Sequence, residues 1–204
     1  IIKDSKKLME GHSIYEFWLR QWWGVNPDNG DGLYIFDAEN NTDANGNIKD
    51  AVKKTLVEKD GQVLTNSYSY AKYDFSGSAV PKVYGGFGTS LNAYGFDFSI
   101  SFAYQLGGRM YDNGYASLMN SGTDPGQNWH KDILKAWTAD NKGSNIPRLS
   151  ATDQYANYLS DRFLTKSDYL SINSITVGYT LPKSWVRSLN ISSLRVYMSA
   201  DNVA

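Results

Sequence analysis

From Phe96 the even positions read Phe96, Phe98, Ile100, Phe102, Tyr104 and Leu106, and the odd positions read Asp97, Ser99, Ser101, Ala103, Gln105 and Gly107. Side chains alternate across a strand, so this period of two puts every large apolar group on one face and small or polar groups on the other. The run is long for a strand of a soluble protein. A lipid-exposed wall of a transmembrane β-barrel, apolar outside and wet inside, is the foremost environment that asks for such a strand.

The flanking chain repeats the pattern. Residues 82 to 93 read as a strand with Val83, Phe87 and Leu91 on one face. Its glycines Gly85, Gly86 and Gly88 point to bending or close backbone approach. Tyr94-Gly95 is a tight turn, so residues 82 to 111 form a hairpin. Residues 168 to 181 are a further strand, with Ile175, Val177, Tyr179 and Leu181 opposite Ser174, Thr176, Gly178 and Thr180, and a bulge is expected near Ile172 to Asn173. Pro182 to Asn190 connects, with one helical turn at Lys183 to Arg187. Ser193 to Val203 is the last strand, with Leu194, Val196, Met198 and Ala200 opposite Arg195, Tyr197, Ser199 and Asp201. Upstream, residues 13 to 23 alternate as Tyr15, Phe17 and Leu19 against Glu16, Trp18 and Arg20, and read as a fifth strand with a helix as the alternative.

Two long polar excursions separate these strands, residues 25 to 81 and 112 to 166. The first carries short β-prone pieces at Leu33 to Phe36 and Tyr68 to Phe75. The second carries one expected helix, Gln127 to Ala139, started by Asn128 or Asp124. Connections therefore alternate long, short, long, short. That is the arrangement of outer-membrane barrels, with long loops outside the cell and short turns in the periplasm. Loops over ~15 residues are already uncommon inside a compact domain.

Composition narrows the function classes. The 20 basic and 21 acidic residues balance to a net charge of −1, so no basic excess is available for nucleic acid. No cysteine is present, which removes disulfides and thiolate metal sites. No run reaches the ~18 apolar residues of a membrane helix, but barrel strands need only about 9–11 residues. Ile1 to Glu10 lacks the basic start and apolar core of a signal peptide, so an internal piece of a longer chain or a cytoplasmic protein is expected. Fifteen Tyr, eight Phe, six Trp and eighteen Gly suit a barrel wall, and equally a soluble carbohydrate-binding sandwich.

Candidate sites each have a bland reading. Asn41 to Ile48 partly matches a calcium loop, with oxygen ligands at its first, third and fifth positions and Gly46 at the sixth. The twelfth position is Val52 where a bidentate glutamate is needed, so a polar turn is the default and no metal is assigned. His12 and His130 have no histidine partner at zinc-protease spacing. His130 is expected to pack or hydrogen-bond. No G-x-S-x-G elbow is present, and Gly85-Gly86-Phe87-Gly88 is not a phosphate loop because no Lys-Ser/Thr follows. No catalytic or cofactor residue is assigned, and two positioned glycosidase carboxylates cannot be picked from twenty-one acids. Trp18, Trp22 and Trp23 read as girdle aromatics in preference to sugar-stacking ones, and Tyr94, Tyr104, Tyr111 and Tyr169 as girdle residues at strand ends. Trp129 and Trp137 read as packing groups of the second excursion.

Several motifs, taken in order, resemble one family. Pro81-Lys82-Val83-Tyr84-Gly85-Gly86-Phe87-Gly88 running into Tyr94-Gly95-Phe96-Asp97-Phe98-Ser99 is similar to a hairpin of the SusC/RagA family, the TonB-linked outer-membrane transporters of Bacteroidota. Gln105 to Asp112, Asn128 to Leu134 with Ala136-Trp137-Thr138, Ile146 to Leu149, Tyr169 to Ile172, Ile175 to Pro182, and Leu194 to Tyr197 with Asp201-Asn202-Val203 resemble further elements of it. The resemblance covers about Ile14 to Ala204. It implies an all-β fold: about five antiparallel strands of a ~22-stranded barrel, with one short helix in an extracellular loop. Residues 1–204 would then be a partial TonB-dependent receptor barrel domain, with plug domain and final strands absent. The function implied is import of a large nutrient, an oligosaccharide or glycan ahead of a peptide, without enzymatic chemistry. The partners implied are a SusD-like surface lipoprotein, the TonB complex and outer-membrane lipid. The alternative from another class is a soluble carbohydrate-binding β-sandwich.

Overall fold

The computed structural model describes residues 2–122, 126–152, 157–187 and 190–203. The chain divides into two compact units. One comprises Ile1–Ala79 and Met110–Thr165, and the other Val80–Arg109 and Lys166–Ala204.

The second unit is one antiparallel sheet of four strands, Val83–Ala93, Phe96–Leu106, Tyr169–Thr180 and Arg195–Val203. Phe96–Leu106 and Tyr169–Thr180 are central and the other two form the edges. Its order is a meander, because each short connection joins neighbours and the long excursion returns beside the strand it left. The two-residue turn has φ 52° at Tyr94 and 87° at Gly95, the left-handed pair that matches the twist of a tight hairpin. The Phe96 strand ends at Gly107, which has φ 83° and whose N–H donates to Asp168 Oδ1 at 2.6 Å. The expected bulge is present. Ser101 pairs with Ser174 and Phe102 with Ile172, leaving Asn173 extra. That extra residue keeps Ile172 and Ile175 on one face despite their odd separation. The expected helical turn forms over Lys183–Val186.

The first unit corrects the strand count. Glu16–Arg20 does not join the four-stranded sheet. It pairs with Lys6–Lys7 on one side and Tyr73–Ser78 on the other. Phe17 and Leu19 are buried as the alternation requires, and Leu19 is fully enclosed. A second sheet runs in the order Trp22–Val25, Gly32–Ile35, Gln62–Thr65, Leu56–Lys59. Its outer hairpin turns at Asp60 and Gly61, with φ 50° and 73°. An Asp-Gly pair is a hairpin signal even between flanks of mixed polarity, and it adds a hairpin to the mostly polar excursion expected over residues 25 to 81. Leu33, Tyr34 and Leu64 fill this core.

The second excursion is also more ordered than its composition suggests. An α-helix covers Asn113–Leu118, started by Asp112, whose carboxylate accepts from Tyr115 N–H at 2.8 Å. The helix expected over Gln127 to Ala139 is instead a 3₁₀ segment, Lys131–Lys135. His130 Nδ1, not Asn128, accepts from Asp132 N–H at its start, and Asp124 lies outside the described residues. The segment stops because Trp137 N–H is taken by Ile146 O at 2.9 Å, so the backbone leaves the helix to make a tertiary hydrogen bond. Ala116, Met119, Ile133, Ala136, Ile146 and Phe163 form a second core.

The two excursions pack on each other as one body. Arg148 N–H donates to Gly30 O and its Nε to Asp31 Oδ1, both at 2.9 Å. Trp22 N–H donates to Asp161 Oδ1 at 2.7 Å. Gly30 has φ 77°, and a Cβ there would lie 2.5 Å from the Trp137 ring, so both backbone and space require glycine.

Candidate functional site

Register across the four-stranded sheet builds two opposite surfaces, row by row. One row is Ala93, Phe96, Tyr179 and Val196; the next is Leu91, Phe98, Val177 and Met198; then come Thr89, Ile100, Ile175 and Ala200, and Phe87, Phe102, Ile172 and Val203. Residues directly opposite share a face, so the apolar surface is continuous over four strands. Phe87 and Phe102 stack at 4.8 Å, and Phe96 and Tyr179 rings meet at 4.5 Å. Nothing among the described residues of this unit covers that surface: Leu91, Phe96, Val196 and Met198 are 64, 59, 61 and 75 % exposed. An eleven-residue strand is about 35 Å long, and at the ~40° tilt of barrel walls it spans roughly 25 Å, the height of an outer-membrane apolar band.

The opposite surface carries Asp97, Ser99, Ser101 and Gln105, with Thr176, Ser174, Ser199 and Asp201 beside them in register. Ser101 and Ser174 hydroxyls are 2.9 Å apart. Asp97 and Arg195 form a two-pronged ion pair, with Nε to Oδ1 at 2.9 Å and NH2 to Oδ2 at 2.5 Å. The pair crosses over Gly178 on the intervening strand. A Cβ at Gly178 would lie 2.5 Å from Asp97 and 2.8 Å from Arg195, so the missing side chain is what lets the two ions meet. The alternation expected along Phe96 to Leu106, Ile175 to Thr180 and Val196 to Ala200 is thus borne out, with Asp97, Ser99, Thr176 and Asp201 on the opposite surface.

Aromatics split between the two units. Tyr94, 99 % exposed, and Trp185 lie at the short-turn end of the sheet, and Tyr104, Tyr169 and Tyr84 lie near its other end. Tyr111 is different. It packs against Phe163 in the first unit, and burial pushes its phenol up to about 12. Trp18 and Trp22 are also packed rather than displayed. Trp18 stacks on Tyr73 and meets Phe75 edge-on, and Trp22 meets Tyr34 edge-on. Arg20 lies over both Tyr68 and Tyr73, and burial raises the Tyr68 phenol. Trp137 Nε1 donates to Pro27 O, and Trp129 Nε1 to Asn120 Oδ1. His130 packs edge-on to Tyr115, as its packing role anticipated.

The calcium-like loop uses its oxygens internally. Asp43 Oδ1 accepts from the N–H groups of Asn45 and Asn47, and the Asn47 bond holds its carboxyl below the usual range. Thr42 and Ile48 bridge the loop's ends, which makes it a closed polar turn. Among the described residues no group of three or more His, Cys, Asp or Glu side chains converges in metal-binding geometry.

No protein-family model matches the chain. TonB-dependent receptor P3 of Formosa agariphila is 21% identical over 201 residues, 98% of this chain and 18% of that protein. The RagAB peptide importer in its closed-closed state superposes with a TM-score of 0.69 at 26% identity, over 92% of this chain and 19% of that one. Another structure of the RagAB peptide transporter gives 0.69 at 26% over 93% of this chain and 19% of that one. The open-open state gives 0.58 at 20%, which speaks to the fold alone. The chain spans about a fifth of the length of these relatives. The matches bear out the resemblance to SusC/RagA-type TonB-dependent transporters that the motifs carry.

Proposed function

We propose that this chain is a wall-and-loop segment of a TonB-dependent importer of the outer membrane, of the SusC/RagA type. The observation that carries it is the uncovered apolar surface of the four-stranded sheet, backed by a polar surface on the same strands. In lipid every backbone group must be paired within the protein, so such a sheet continues into neighbouring strands and closes as a barrel of about 22 strands. The apolar rows then face acyl chains, and the Asp97–Arg195 pair and the serine rows face the lumen and plug. The sandwich alternative needs a second sheet packed over the Phe96 face. Among the described residues of this unit, none lies there.

In this reading the short turns at Tyr94-Gly95 and Pro182 to Asn190 are periplasmic, and the body built from the two excursions is extracellular. The cargo is a large oligomer, with an oligosaccharide as the first reading. A peptide is the second reading, favoured by the 26% likeness to the RagAB peptide importer. A SusD-like lipoprotein lids the outer mouth against the loop body, and TonB drives import through parts of the protein beyond this chain. No bond is made or broken in the cargo, so the chain does no enzymatic chemistry. Fractionation tests the placement: the whole protein is expected in the sarkosyl-insoluble outer membrane with heat-modifiable migration. Recovery in the soluble periplasm would sink it. Uptake of labelled oligosaccharides and peptides by cells with and without the gene separates the two cargo readings.

A further inference from the structure

Register gives the polar surface of the sheet an aromatic row at the end away from the short turns. Gln105 pairs with Tyr84 on one side and with Tyr169 on the other, so all three project from the face that carries Asp97, Ser99 and Ser101. Tyr84 and Tyr169 therefore do not belong to a lipid-facing girdle, whereas Tyr104, one residue along, projects from the apolar side. Tyr84 is 76 % and Tyr169 49 % exposed, and neither side chain makes a hydrogen bond or ring contact among the described residues. Two strand spacings put them about 10 Å apart. Between them Gln105 is tied down, since its Nε2 donates to Ser167 O at 3.2 Å and to Ser167 Oγ at 3.1 Å. Those donations fix the amide and leave Oε1 as a hydrogen-bond acceptor in the row. The next row toward the turns is Gly86, Ala103 and Ser171, which adds neither bulk nor charge. A Cβ at Gly86 would lie 2.9 Å from Phe102 O, so this floor is low by steric necessity.

We propose that Tyr84, Gln105 and Tyr169 form a contact site for a neutral oligosaccharide on the lumen wall, with sugar rings stacked on the two phenol rings and a sugar hydroxyl donating to Gln105 Oε1. The inference rests on the importer reading above and gives its cargo a place of contact. With the short turns periplasmic, the row lies at the extracellular end of the wall, on the face that cargo passes. A pyranose has faces lined by C–H groups and a rim of hydroxyls. The C–H groups carry slight positive charge and pack on the negative face of an aromatic ring, while the hydroxyls need donors and acceptors. The row supplies both, as two rings, two phenol hydroxyls and one oriented amide carbonyl. The span of about 10 Å between the tyrosines suits a disaccharide unit, so that two sugars of one chain can stack at once. Tyrosine has only two side-chain torsions to immobilise and Gln105 is already held, so little ordering cost opposes binding. Charge separates the cargo classes. No side chain in this row or the next is charged, so nothing here pairs with the termini or the acidic and basic side chains of a peptide.

The test uses the full-length transporter purified from outer membranes, applied to an array of neutral oligosaccharides, acidic oligosaccharides and peptides. The unaltered protein is expected to bind neutral oligosaccharides. Tyr84→Ala and Tyr169→Ala are each expected to weaken the best neutral ligand about tenfold, and together about a hundredfold, the scale of losing aromatic stacking contacts. Tyr84→Phe with Tyr169→Phe keeps both rings and is expected to cost about threefold or less. Tyr104→Leu, at the same end of the sheet but on the apolar face, is expected to leave binding unchanged. Heat-modifiable migration of each variant reports barrel assembly separately. An assembled Tyr84→Ala/Tyr169→Ala variant that binds the neutral ligand as tightly as the unaltered protein would overturn the proposal and leave the importer reading standing. So would an unaltered protein that binds no neutral oligosaccharide on the array. Recovery of the protein outside the outer membrane overturns the importer reading and this inference with it.

Discussion

The two units of this chain are built on opposite principles. Of the fifteen buried hydrophobic residues among the described residues, only Val186 lies in the sheet unit, and the other fourteen lie in the first unit. The body resembles a small soluble domain: short strands, tight turns, two enclosed clusters and buried polar groups such as Thr65 and Asn120. The sheet has long regular strands, almost no interior, and large side chains turned outward. Burying apolar surface within the protein stabilises the first. Among the described residues of its own unit, the second has little against which to bury its apolar rows. The difference teaches that one chain can carry two hydrophobic patterns, one that encloses its apolar groups and one that displays them.

The sharpest way to break this contrast is to place a charge on the sheet. Ile100→Arg at the middle of the apolar face is expected to cost about 4 kcal/mol of barrel stability. That is the upper end for a basic residue at the bilayer midplane, because the isoleucine is lost too. Ser99→Arg, one residue away on the polar face, is expected to leave assembly near normal. Urea unfolding in liposomes measures both, and equal effects would remove the distinction between the faces.

A truncation in the body should behave in the reverse manner. Leu64→Ala, at a fully enclosed position, is expected to cost about 3 kcal/mol through its cavity. The loss should show as protease cleavage within the two excursions while heat-modifiable barrel migration persists. Loss of the barrel as well would mean that the body and the wall fold as one cooperative unit.

The smallest expected effect is a titration. Burial holds the Tyr111 phenol up to about 12, above its ordinary value near 10. A raised folded value means the stabilisation is fully present below pH 10 and is lost as pH climbs through 10 toward 12. Ultraviolet difference titration should show Tyr111 ionising after the exposed tyrosines, and Tyr111→Phe should remove that late step. An ordinary titration would return Tyr111 to the girdle of exposed aromatics.

The sheet was legible in the sequence because period-two patterning, a Tyr94-Gly95 turn and apolar matches in register are all local signals. Even the Asn173 bulge showed as a break in phase. The body was not legible to the same degree. Its Asp60-Gly61 hairpin was signalled and passed over, since the flanking residues are mixed in polarity. The expected helix over Gln127 to Ala139 failed for a reason no window contains: Trp137 N–H finds Ile146 O across a loop. Tyr111, Trp18 and Trp22 look alike to Tyr94 in composition and position, and only packing against Phe163, Tyr73 and Tyr34 separates them.

By itself the sequence determined that four strands have one apolar and one polar face, because alternation along a strand is a property of neighbouring residues. It also marked the turn at Tyr94-Gly95, since Gly95 takes its positive φ without steric cost. Only the tertiary structure decided that Glu16–Arg20 belongs with the body and not the four-stranded sheet. Only it showed that Asp97 reaches Arg195 over Gly178, and that Tyr84 and Tyr169 flank Gln105 on the polar surface. Each of these depends on which distant segments meet, and pairing between strands is chosen by the free energy of the whole sheet rather than by any one strand.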